Sequence, residues 1–154
     1  MRWLVRTWQE LERDQLYAIM RARAAVFVVE QNCAYQDADG SDPVAVHLWA
    51  EGEADGGATP VLAYARLFPP GAEGVAEARI GRVITTAAGR GRGLGRELMR
   101  RALAEIATRW GGPPVWIGAQ KYLERFYGEL GFVRCGPDYV EDGIDHLPML
   151  RTGS

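Results

Sequence analysis

The segment "RVITTAAGRGRGLGRELMRRALAEIATRW", Arg82 to Trp110, constrains the fold more than any other part of the chain. "RVITT" reads as a strand, and a glycine-rich turn after it opens directly into an amphipathic helix. In that helix Leu94, Leu98, Ala102, Ile106 and Trp110 fall at four-residue steps, with Leu103 and Ala107 widening the stripe. Gly111 to Pro114 stops the helix sharply. "VWIGA" follows as a short, mostly apolar strand suited to burial on both faces. "KYLERFYGEL" is then a short helix, ended by Gly131 in the left-handed position that suits glycine. This βα-βα order, placed after strands that look antiparallel, implies a mixed α/β sheet.

The earlier elements are read the same way. "MRWLVRTW" alternates apolar and polar residues as a short strand does. Glu10 to about Val29 is expected to be helical, with Leu11, Leu16, Ile19, Met20, Val26 and Phe27 on its apolar face. "CAYQDADGSDP" is an acidic loop with turn chemistry. "VAVHLWAE" and "PVLAYARLF" read as strands joined through "GEADGGAT", where Asp55-Gly56 is a hairpin signal. "EARIGRVITT" completes this group, and "FVRCG" and "HLPMLR" close the chain as strands around "PDYVEDGID". With 154 residues and no long linker, internal repeat or low-complexity block, one domain over 1–154 is expected.

Charge and composition exclude several classes of function. The formal net charge of -2 provides no global basic field for nucleic acid. Cationic charge is almost all arginine, with Lys121 the only lysine. Cys33 and Cys135 are too few for a disulfide framework, and no Cys/His spacing resembles a zinc site, so no metal is expected. The N-terminus lacks a signal-peptide apolar core and no apolar run reaches membrane-span length. A cytoplasmic protein is the resulting expectation.

The turn "GRGRGLGRELM" starts a helix without the usual Ser, Thr or Asp cap. The first backbone N–H groups of a helix lack intrahelical partners, and Gly91 and Gly93 have no side chain to satisfy one. Missing Cβ atoms let an external group approach the main chain. The helix dipole and Arg90, Arg92 and Arg96 add positive charge. Together these describe a phosphate cradle; the alternative is a solvated glycine turn. No Walker-type run is present, and the dinucleotide fingerprint fails because Arg96 stands where its last glycine belongs.

The pattern that fits is Arg90-x-x-Gly93-x-Gly95 between "RVITT" and an amphipathic helix, with "YLERFYGELGF" downstream. It resembles the acyl-coenzyme A loop and second helix of the GNAT superfamily of N-acyltransferases. "RAAVFVVEQNCAYQDADGSD", "IGRV", "GAQ" and "EDGIDH" resemble the ElaA-like branch of that superfamily. "VFVVEQ" is also similar to acyl-homoserine-lactone synthases, for which this chain is short. The resemblance implies an α/β GNAT fold: a central mixed, mostly antiparallel twisted sheet flanked by helices and splayed between the fourth and fifth strands. It implies an N-acetyltransferase moving an acetyl group from acetyl-CoA to a primary amine of a small molecule or peptide, by direct attack in a ternary complex. A non-catalytic acyl-CoA-binding or interaction domain is the other reading. Monomer and homodimer both stay open.

By the same resemblance the main chain of Val83, Ile84 and Thr85 aligns pantetheine, and Arg90, Gly91, Arg92, Gly93, Leu94, Gly95 and Arg96 meet the pyrophosphate. Tyr127 matches the thiolate-protonating tyrosine. Gln120 either bonds the pantetheine amides or caps the next helix. Tyr122 and Phe126 are expected to pack. An alkyl ammonium, with a pKa of about 10, must lose a proton before attack. Glu30, His47 and His146 are candidates for that base. Glu30 could instead pair with Arg21 or Arg23, and His47 is expected to be structural. Asp37, Asp39 and Asp42 are solvated turn residues or an attractor for a cationic acceptor. Cys33 has no recognisable histidine partner and is read as a plain thiol.

Overall fold

Apolar alternation and one long amphipathic helix shape a single eight-stranded sheet. The computed structural model describes residues 1–57 and 59–153. In chain order the strands are β1 (Arg2–Thr7), β2 (Val46–Glu51), β3 (Val61–Phe68), β4 (Ala78–Thr85), β5 (Val115–Gln120), β6 (Val133–Arg134), β7 (Tyr139–Glu141) and β8 (Ile144–Arg151). Their spatial order is β1-β2-β3-β4-β5-β8-β6, with β7 also on β8. All pairings are antiparallel except β4 with β5, which is parallel. The expected turn between β2 and β3 includes Ala58, which lies outside the described residues. Gly56 and Gly57 there hold φ of 63° and 88°.

Helix α2 (Leu94–Trp110) lays its stripe on one face of the sheet. Leu94, Leu98, Met99, Ala102 and Ile106 meet Leu48, Leu62, Leu67 and Ile80 from one side of the β4–β5 junction, and Val115, Ile117, Leu147 and Met149 from the other. Helix α1 (Arg13–Arg23) covers the opposite face, where Ile19 packs with Leu4, Trp49, Tyr64 and Ile84. It starts later than the sequence suggests because Glu12 and Gln15 form a capping box. From Ala24 to Glu30 the helix continues with π-type geometry, seen in Gln31 N–H bonding the carbonyl five residues back at 3.1 Å. "KYLERFYGEL" forms a 3₁₀ turn and then α3 (Glu124–Gly128), and Gly131 takes φ 94° as expected. Tyr139–Glu141, read from sequence as part of a loop, adds β7.

Two irregularities matter for the site. Across β3 and β4, Tyr64 stands opposite Ile84 but Arg66 stands opposite Gly81, so Arg82 and Val83 together face one β3 residue. This is a bulge, with Arg82 at φ 50°. β5 was expected to be buried on both faces, yet only Val115, Ile117 and Ala119 are buried, whereas Trp116 is partly and Gly118 largely exposed. The reason is the junction beside it, which opens on that face.

Candidate active site

β4 and β5 pair only at Ala78 with Val115 and at Arg79 with Trp116. Beyond those positions the strands diverge around a cleft of about 660 Å³ that reaches Glu30, Thr85, Arg90 and Gly95 as well as Trp116, Tyr127 and His146. That volume lies within the usual size of a cofactor or substrate site.

The Gly/Arg turn forms one lip. Gly93 is the N-cap of α2 at φ 70°, with no side-chain cap, and Gly91 has φ 80°. A Cβ at Gly91 or Gly93 would meet nothing within 4 Å, so both face open space. Gly89 differs, because a Cβ there would collide with the Leu62 carbonyl. Gly95 lines the cleft, its Cβ position 3.8 Å from both Phe126 and Thr85. Leu94 turns its side chain into the core, so only its main chain belongs to this lip. The first intrahelical bond is donated by Glu97 to Gly93 at 3.3 Å, which leaves the N–H groups of Leu94, Gly95 and Arg96 free for an anion.

The arginines of the turn behave differently from one another. Arg90 donates to Glu30 Oε1 at 2.5 Å and to the Thr85 carbonyl at 2.9 Å. Glu30 is therefore paired neither with Arg21 nor with Arg23; it is exposed and tied to the turn. Arg96 pairs with Glu129 at 2.6 Å, its guanidinium 5.8 Å from the Phe126 ring centre. Arg92 is exposed. Val83 packs on the α2-side core and Ile84 on the α1 side, while Thr85 lines the cleft.

Tyr127 sits deep in the cleft, held edge-on between Phe126 and Phe132. Burial pushes its phenol upward, with Tyr122 adding to the effect, so the hydroxyl keeps its proton. Gln120 Nε2 lies 3.4 Å from Gln31 Oε1 rather than capping the next turn. Phe126 packs as expected, but Tyr122 is exposed on the cleft rim.

His146 sits opposite Gln120 on β8, stacked on Tyr139 at 5.6 Å. Its Nδ1 is 2.7 Å from the Ile144 carbonyl. A carbonyl only accepts, so Nδ1 carries a hydrogen, and Nε2 is the nitrogen that can accept when the ring is neutral. Glu141 Oε2 is 3.9 Å from that Nε2. His47, by contrast, is buried: Nε2 donates to the Asp42 carbonyl at 3.0 Å and Nδ1 accepts from the Tyr64 hydroxyl at 2.6 Å. Burial pushes its pKa down. His47 is structural and does not line the cleft.

The acidic loop departs from both sequence readings. Asp37 and Asp42 are buried and Asp39 stays partly in solvent, but all three are spent on a clamp around Arg23, Arg66 and Arg82. Arg23 bonds Asp37 at 2.9 Å and Asp42 at 2.7 Å, and Arg66 bonds Asp39 at 2.6 Å and Asp42 at 3.0 Å. Arg82 reaches Asp37 at 2.8 Å and Asp39 at 3.2 Å, which offsets the cost of its left-handed backbone at the bulge. The Arg66 hydrogen bond holds Asp39 well below the usual carboxylate range. At Asp42 burial opposes the charge, but Arg23 and Arg66 overcome it and its pKa is lowered.

Cys33 donates to the Asp142 carbonyl at 3.1 Å and shares a small side pocket with His146. Arg66, Arg79, Trp116, Tyr139 and Glu141 also line cleft surfaces that sequence reasoning did not single out. The available signal was an arginine within the apolar run "YARLF".

A sheet opened at a parallel fourth-to-fifth strand junction, with an uncapped glycine-rich helix start at its lip, defines the acyl-CoA N-acyltransferase architecture. The chain belongs to the GNAT acetyltransferase family, since residues 50–152 match the acetyltransferase (GNAT) domain model. It is 40% identical to protein ElaA of Escherichia coli K12, over 94% of this chain and 95% of that protein. Among solved structures, it is similar to an acyl-CoA N-acyltransferase from Pseudomonas aeruginosa, at 41% identity and TM-score 0.87, covering 99% of this chain and 100% of that one. The E. coli ElaA structure aligns at TM-score 0.84 and 38% identity, covering 98% and 99% of the two chains.

Proposed function

We propose that the protein is a cytoplasmic N-acetyltransferase, monomeric or homodimeric, that passes an acetyl group from acetyl-CoA to a primary amine of a small molecule or peptide by direct attack in a ternary complex. The observation that carries this reading is one continuous cleft with an open helix start at its lip, a protonated phenol within it and an imidazole lone pair opposite. Bound acetyl-CoA would supply an activated thioester. The free N–H groups of Leu94, Gly95 and Arg96, with the charges of Arg90, Arg92 and Arg96, suit its pyrophosphate, and Gly91 and Gly93 leave the main chain uncovered for it. The β4 edge at Val83, Ile84 and Thr85, together with Gln120, suits the amides of its pantetheine arm.

In this reading His146 Nε2 accepts the proton of the amine, oriented by the Ile144 carbonyl behind it. Tyr127 donates its phenolic proton to the departing thiolate. Glu30 holds Arg90 rather than serving as the base. The test is release of free CoA across a panel of amines. Wild-type turnover should fall by about 100-fold in Tyr127→Phe with CoA affinity retained, and His146→Gln should lower kcat/KM by a similar factor. Unchanged turnover in Tyr127→Phe removes that residue from the mechanism. Tight CoA binding without turnover over a broad panel favours the non-catalytic acyl-CoA-binding reading.

A further inference from the structure

We infer that the closed end of the cleft is a carboxylate subsite, so that the amine acceptor is an amino acid or short peptide bound by its acid group. The amine half of this statement rests on the acyl-transfer reading; the carboxylate half stands on the geometry of Arg66 and Arg79.

These arginines sit on β3 and β4, both lining the cleft. Their guanidinium carbons lie 5.1 and 4.3 Å from the ring centre of Phe68, so one aromatic ring fixes both groups. The Nε atoms of both are buried and have no hydrogen-bond partner among the described residues. A buried donor left unsatisfied costs about 1–3 kcal/mol, more when charged, and native proteins seldom keep two together without a purpose. Arg66, with only 6% of its surface exposed, has spent its terminal nitrogens on Asp39 and Asp42. Arg79 gives Nη2 to Glu73 and the Ala72 carbonyl. In Arg66 Nε–H is the nitrogen left over, and in Arg79 it is the buried donor without a partner.

Gly81 explains why room is kept beside them. A Cβ built there would touch only Arg66 Nε, at 3.9 Å. Its φ is not left-handed, so no turn requires glycine at this strand position, where glycine is ordinarily unfavourable. The missing side chain leaves the cleft floor at Gly81 uncovered beside that unpaired donor. Trp116, opposite Arg79 in register, forms the adjoining wall.

Two cationic N–H donors without an acceptor match a group that only accepts. A carboxylate does this with two oxygens, and charge-assisted bonds to it are the stronger kind. An ammonium is repelled from the same place. The acceptor is thereby oriented: Arg79 lies at the Trp116 register and His146 at the Gln120 register, about 13 Å apart along β5 at about 3.3 Å per residue. Acid toward Arg79 places amine toward the imidazole.

The experiment compares matched acceptors at saturating acetyl-CoA: 5-aminopentanoate against 5-aminopentanamide, and glycylglycine against glycylglycinamide. Each acid should exceed its amide by at least about tenfold in kcat/KM, through KM, one charge-assisted hydrogen bond being worth about that factor. Arg79→Gln, and Gly81→Val filling the space, should bring the ratio near one. Amides used as well as acids, or an Arg79→Gln enzyme with the acid preference intact, overturns the subsite. A second arm needs no turnover: pentanoate is titrated calorimetrically into the protein saturated with CoA. Binding lost in Arg79→Gln supports the subsite even if no amine is acetylated. Absence of binding by wild type overturns it, and leaves acyl transfer standing if simple amines turn over.

Discussion

Residues 31–42 and residues 89–96 both interleave charged residues with small ones, and they reach opposite ends. The first carries three carboxylates, each bonded to arginines from elsewhere in the fold, and two of those carboxylates are buried. The second begins a 17-residue helix with no side-chain cap and glycines facing open space. Charge density does not separate a structural clamp from a binding site. Satisfaction does: where each carboxylate is already held by arginines, nothing in the loop is left to draw a cationic ligand, and where main-chain donors stay free a ligand completes the count.

Breaking the clamp should have the largest effect. Arg23→Ala leaves Asp37 and Asp42 without their buried partner and should cost about 3–5 kcal/mol, read as the midpoint shift in urea unfolding. A loss below about 1 kcal/mol would mean that Arg66 and Arg82 carry the loop without it. The turn should respond in the reverse sense. Gly95 has an ordinary φ and clearance for a Cβ, so Gly95→Val should lower CoA affinity by at least about tenfold while the melting temperature barely moves. Gly93 is a poorer test, since φ 70° strains any other residue there. Equal loss of affinity and stability in Gly95→Val would return the turn to a purely structural role.

Acid should loosen the clamp before it alters the turn. His47 is held below its ordinary 6.5, and Asp39 and Asp42 below 3.8. Below those ordinary values the unfolded chain binds more protons than the folded one, so stability falls as pH drops. The melting temperature should decline first as pH passes downward through about 6.5 and more steeply below about 4. A flat melting temperature from pH 7 to 5 would mean that His47 takes up a proton without cost. The smallest effect belongs to solvent-facing pairs on α2. Glu105→Ala removes its 2.7 Å partner for Arg109 and should change stability by less than about 0.5 kcal/mol.

The sheet was legible because its signals are local. Alternation marks β1, apolar runs either side of Asp55-Gly56 mark β2 and β3, and four-residue steps mark α2. The Gly/Arg turn was legible for the same reason, with cap, glycines and charges falling within a few residues. The clamp was not. Arg66 lies 24 and 27 residues, and Arg82 43 and 45 residues, from the carboxylates they bond, and only folding brings them together. The π-type stretch after Arg23 was likewise hidden, since Val26 and Phe27 suit an ordinary helix face. His146 was legible as a residue, but its tautomer depends on a neighbouring carbonyl that only the β7–β8 turn supplies.

The short seam between β4 and β5 has one more consequence. With two positions in register, hydrogen bonds do little to set how far the strands stand apart. The apolar cluster beneath α2 spans the junction, from Ile80 on one side to Ile117 and Met149 on the other. The aperture of the cleft is therefore fixed partly from behind, by the volume of side chains such as Leu98, Met99 and Met149 that lie outside its lining. Because such interiors are close-packed and resist compression, Met99 and Leu98 act as spacers for a mouth on the far face of the sheet.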